Sequence, residues 1–171
     1  MENIATKESW KNTPIDTPKR IDISKIVPDL DLSFSEEQLL KIKNGLIPQE
    51  MEDKWFIYYE NDWLFFHRSW TGYGIYRAKI VKKKNNSNNR DYAIKDFYVE
   101  RNKKYYNHEN EEYELDVLLQ LIVWGLLKLD VRNYFFNKYG SGVQGSIKMW
   151  SEFGRLIFTE NDVGKRSIIS K

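Results

Sequence analysis

Hydrophobic and polar positions divide the chain into a polar beginning, an aromatic middle and a helical end. Residues 1–30 are polar, contain Pro14, Pro18 and Pro28, and show little periodicity. They predict an extended or partly disordered arm, with Trp10, Ile21, Ile23 and Ile26 as the side chains that would pin it to the body. In "SFSEEQLLKIKNG", Ser35 and Gln38 have the spacing of a capping box, Glu36 and Glu37 suit the first-turn dipole, and Gly45 supplies a stop. A short helix over 36–44 is expected.

Four strand-like segments follow. "KWFIYYE" and "WLFFHRS" are rich in aromatic residues that suit a pleated, half-buried surface, and "END" between them suits a tight hairpin. "YGIYRAKIV" follows Thr71-Gly72, and "DYAIKDFYV" follows the polar loop "KKKNNSNNR". Short links between consecutive strands read as a meander. In "EEYELDVLLQLIVWGLLKL" the period changes: Leu115, Leu118, Leu119, Ile122, Leu126 and Leu129 fall on one helical stripe, broadened by Val117, Leu121 and Trp124. "GSIKMWSEFGRLIF" repeats helical spacing at Ile147, Trp150, Phe153 and Ile157. The architecture that buries these faces is α+β: a single compact domain over 31–160, with an antiparallel meander of about four strands and helices packed on one face. A polar tail occupies 161–171.

Composition sharpens this picture by exclusion. The 171 residues suffice for one domain with a real core, and the 15% aromatic content is high. A net charge of +2 offers no basic excess of the kind nucleic-acid binders show. The absence of cysteine removes disulfides, thiolate metal sites and cysteine nucleophiles. Two histidines are too few for a histidine-rich metal centre, so no metal and no cofactor is expected. No apolar run has signal-peptide or membrane-span length, which predicts a soluble, cytoplasmic protein without a membrane partner.

Candidate chemistry concentrates around one turn. Ser69, Trp70, Thr71, Gly72 and Tyr73 offer hydroxyls, backbone N–H groups and flat rings, the ingredients of a nucleotide pocket and equally of a hairpin turn. Arg68 is suited to bidentate binding of phosphate or carboxylate. His67 would suit acid–base work, with Glu112 or Asp116 as partner, but alternation along a strand sends His67 and Arg68 to opposite faces. "GSGVQG", with Gly140, Gly142 and Gly145, matches the dinucleotide-loop pattern, yet only 26 residues follow it, too few for that fold. A loop that presents N–H groups to an anion is the remaining functional reading.

The segment "MEDKWFIYYENDWLFFHRSWTGYGIYRAKI" resembles a family of small, mostly uncharacterised bacterial domains. Their hallmark is a D-K-W-F strand, a tight turn, W-L-[YF]-x-H-R-S-W-T-G and an I-Y strand. The match is strongest over 51–80 and extends more weakly to about residue 128. The resemblance implies that Trp55, Trp63, His67, Arg68, Ser69, Trp70, Thr71, Gly72, Tyr76 and Arg101 are hallmark positions. It departs at Glu100 and Asn102, where the family tends toward Asn and Asp. Some members are labelled ADP-ribosyl hydrolase-like, but the helical enzymes of that name need spaced acidic metal ligands on a much larger all-helical body.

These readings predict a binding protein for a nucleotide-like or ADP-ribose-like ligand, held by Arg68, Ser69, Trp70, Thr71, Gly72, Tyr73 and Arg101. A small hydrolase using His67, Glu112 and Asp116 is one alternative. A protein-interaction module, such as a toxin-immunity or defence-associated protein, is another, since Tyr, Trp and Arg are enriched at interfaces.

Overall fold

The computed structural model describes residues 3–28, 30, 32–84 and 91–129. The second expected helix, the Gly140–Gly145 loop and the polar tail lie outside the described residues. The elements are β1 (Pro18–Ile21), α1 (Ile23–Ile26), β2 (Ser33–Phe34), α2 (Glu36–Lys43), β3 (Trp55–Glu60), β4 (Trp63–Arg68), β5 (Gly74–Lys82), β6 (Tyr92–Glu100) and α3 (Glu111–Gln120). A π-helical segment, Leu121–Leu126, continues α3.

β3 to β6 form the antiparallel meander. The sheet nevertheless has six strands, not four, in the order β1-β6-β5-β4-β3, with β2 also on β6. The extra strands are too short for alternation to show in sequence. They form because β6 is nine residues long and offers one stretch to β1 at Phe97–Glu100 and another to β2 at Tyr92–Ala93. Pro18 opens β1, a position where a missing N–H is tolerated. In the β3–β4 hairpin, Asn61 and Asp62 both have positive φ (50° and 68°), as a two-residue turn matched to strand twist requires.

Register separates the two faces. Ile57, Phe66, Tyr76 and Val99 form one row across the sheet, and Leu64, Ala78, Phe97 and Ile21 form the next. All eight are buried, and they pack with Leu115, Leu118, Leu121 and Ile122 into the main core. Each fully buried aliphatic or aromatic side chain contributes roughly 1.5–3 kcal/mol, so this face supplies most of the stability. α2 adds Leu39 and Ile42. Its capping box closes as expected: Ser35 Oγ accepts from the Gln38 N–H at 3.1 Å, and Gln38 Oε1 accepts from the Ser35 N–H at 3.0 Å. α3 is capped by Asn110 and changes to i→i+5 bonding at Leu121 (Leu127 N–H to Ile122 O, 2.9 Å). Val123 and Gly125, both poor helix formers, lie in that widened stretch.

On the second face the N-terminal segment is extended and docked. Ala5 is buried with Phe56 and Tyr58, and Trp10 and Phe65 pack around them. The Ala5 N–H donates to Asn44 O at 2.8 Å. The segment's far end is fixed by Glu100, a buried carboxylate that accepts from the backbone N–H groups of Asp16 (2.6 Å), Thr17 (2.8 Å) and Asn102 (2.9 Å).

Candidate functional site

The turn between β4 and β5 is built from its own backbone and from the arm. The Gly72 N–H donates to Arg68 O at 2.8 Å, the Arg68 N–H donates to Tyr73 O at 3.0 Å, and Gly72 takes φ +77°. The arm then adds a parallel bridge at Thr13: its N–H donates to Gly72 O (2.7 Å), and its carbonyl accepts from the Gly74 N–H (2.8 Å). A Cβ on Gly74 would stand 2.8 Å from Thr13 O, so glycine is what lets the two backbones approach. Trp10 completes the contact by donating its indole N–H to Ser69 O at 2.8 Å. Ser69 is itself buried; its hydroxyl donates to Asp53 O and its N–H to Lys54 O.

Trp70 is the exception to this closure, 67% exposed at the tip of the turn. Its ring is held, because the indole N–H donates to Met51 O at 2.8 Å. It borders two concavities. One, of about 550 Å³, is lined by Trp10, Lys11, Pro48, Gln49, Glu50 and Met51 as well as Ser69 and Trp70. The other, of about 300 Å³, is lined by Lys54, Arg68, Ser69, Trp70 and Thr71. Both fall at ligand-pocket size. Arg68 leaves the core face at the sheet's end, its guanidinium carbon 4.3 Å from the centre of the Trp55 ring. Trp55 stacks in turn on Tyr76, whose hydroxyl pairs with that of Tyr106 at 2.9 Å and whose phenol is pushed well up by burial. The pocket's arginine therefore rests on an aromatic column.

The other expected site residues are distributed differently. His67 is 2% exposed on the arm-covered face, its ring stacked on Tyr58 (5.7 Å, 13°) and its Nδ1 bonded to Gly72 O at 3.0 Å. Burial lowers its pKa, partly opposed by that hydrogen bond. Asp116 is buried in α3 and Glu112 is exposed in its first turn, both across the sheet from His67. The histidine–carboxylate arrangement considered for hydrolysis is therefore not assembled: alternation sends His67 away from the helix. Arg101 grips Glu114 with both terminal nitrogens at 2.8 Å, tying the end of β6 to α3. Burial pushes the Glu114 carboxyl up, and Arg101 pulls it back. Tyr73 lies edge-on to Tyr105 (4.7 Å) beside a separate hollow of about 270 Å³ that contains Glu100.

Sequence reasoning missed Trp10, Met51 and Lys54 as neighbours of the turn. A lone tryptophan in a polar, proline-bearing arm was the available signal, since such a ring needs something to cover it. No group of three or more His, Asp or Glu side chains suited to a metal occurs among the described residues, and no helix there is long and apolar enough to cross a membrane. Comparison with family profiles, curated proteins and solved structures finds no match to this chain.

Proposed function

We propose that the chain is a binding protein for a small ligand combining a flat ring with an anionic group, of nucleotide or ADP-ribose type, seated against Trp70. The observation that carries this reading is the exposed yet anchored indole beside a concavity containing Arg68 and Lys54. A tryptophan that is 67% exposed has apolar area left to bury against a ring, and tethering its N–H lowers the entropy lost when a ring stacks on it. Stacking of a base on an aromatic side chain is worth about 1–3 kcal/mol, and a guanidinium adds charge-assisted bonds to phosphate. Burial of His67 favours binding without turnover.

The test is a set of calorimetric titrations with AMP and ADP-ribose against two fragments: adenosine, which lacks phosphate, and ribose 5-phosphate, which lacks the ring. The expected result is that AMP or ADP-ribose binds more tightly than both fragments, with affinity lost about tenfold or more in Trp70→Ala and in Arg68→Ala. No heat with any of the four, or unchanged affinity in Trp70→Ala, would overturn the reading.

A further inference from the structure

The second face carries a separate feature where Trp63, Arg77, Lys79 and Tyr98 are half-buried. Register lines up Phe65, Arg77, Tyr98 and Arg20 across β4, β5, β6 and β1, with Trp63, Lys79 and Asp96 as the adjacent row. The Arg77 guanidinium carbon lies 5.2 Å from the centre of the Trp63 ring and 4.8 Å from that of Tyr98. Lys79 Nζ lies 5.7 Å from Trp63. The obvious acid, Asp96, is already engaged by Arg20 at 3.0 Å. Arg77 has no hydrogen-bond or ion-pair partner among the described residues, and its Nε is buried without an acceptor.

An arginine seated against two rings that also meet each other (centroids 5.9 Å apart, 52° tilted) has lost much of its rotamer freedom before any partner arrives. Its planar fork is then ready to meet a carboxylate through the terminal nitrogens, the Nε being buried. Arg, Trp and Tyr are moreover the side chains that dominate interface energetics. We infer that the Trp63–Arg77–Tyr98 face docks a protein partner that presents a side-chain carboxylate to Arg77 and Lys79. Single-stranded nucleic acid fits less well, because Arg77 and Lys79 already occupy ring faces on which bases would stack. The surface is independent of the Trp70 site: Trp63 is at the opposite end of β4 from Arg68, roughly 17 Å away at strand spacing.

The experiment is a nitrogen-resolved NMR titration of the full chain with hexaglutamate, hexaglutamine and oligothymidylate at millimolar concentration. The Arg77 Nε–H and Trp63 indole signals are assigned through Arg77→Lys and Trp63→Phe. The expected result is that hexaglutamate moves both signals, hexaglutamine moves neither, and Arg77→Met weakens the hexaglutamate response about tenfold while its melting curve shows it folded. Unmoved signals with hexaglutamate, or the same response in Arg77→Met, overturn the inference. A stronger response of these signals to oligothymidylate overturns it in favour of nucleic acid.

Discussion

Arg101 and Arg77 sit at the two ends of one design choice. Arg101, at the junction of β6 and α3, spends both terminal nitrogens on a carboxylate that is 0% exposed. Arg77, half-buried on the opposite face, is positioned by rings alone. The first is part of the architecture, because removing either partner strands a buried charge. The second is costly to the folded chain in one orphaned donor and contributes little in return. Charges whose partners lie inside the fold explain stability; a charge with none there is left for a partner outside it.

The comparison can be broken experimentally, and the largest effect belongs to the first arginine. Arg101→Ala should destabilise by about 3–5 kcal/mol, because Glu114 is left buried without its counter-ion. For a domain of this size that lowers the melting temperature by about 6–20 °C, measurable by calorimetry. Gly74→Ala comes next, at about 1–3 kcal/mol, since the new methyl meets the Thr13 carbonyl and the arm must shift. Hydrogen exchange at the Thr13 amide should accelerate in that variant, while amides of α3 keep their protection.

A pH effect follows from His67. Its folded pKa is lowered by burial from the ordinary 6.5, so between the two values the unfolded chain binds the proton and the folded one does not. Stability from this group is therefore complete above the ordinary value and is lost as pH falls below it. His67→Gln should show a smaller drop in melting temperature on acidification than the parent chain. The smallest change is expected for Arg77→Met, within about 1 kcal/mol, the scale of a cation–π contact. A loss comparable to that of Arg101→Ala would erase the distinction between the two arginines.

The sequence carried the parts of the fold whose signals are local. The Ser35–Gln38 box, the Asn61-Asp62 turn and the division of β4 into faces were all legible, because capping chemistry, turn chemistry and alternation act within a few residues. β1 and β2 were not, because strands of four and two residues are specified by the edge they join. The site was half legible for the same reason. Trp70 and Arg68 stood in a recognisable stretch, whereas Trp10 reaches Ser69 from 59 residues away. Arg101 looked like a phosphate ligand in sequence, where its pairing with Glu114 leaves no local mark.

The most direct measurement of the central claim is the response of the Trp70 indole N–H and Arg68 Nε–H signals to saturating AMP. The account predicts that the two move together, while the Trp63 and Arg77 signals on the far end of the sheet stay in place. A stationary Trp70 signal, or movement confined to the Trp63–Arg77 face, would contradict it.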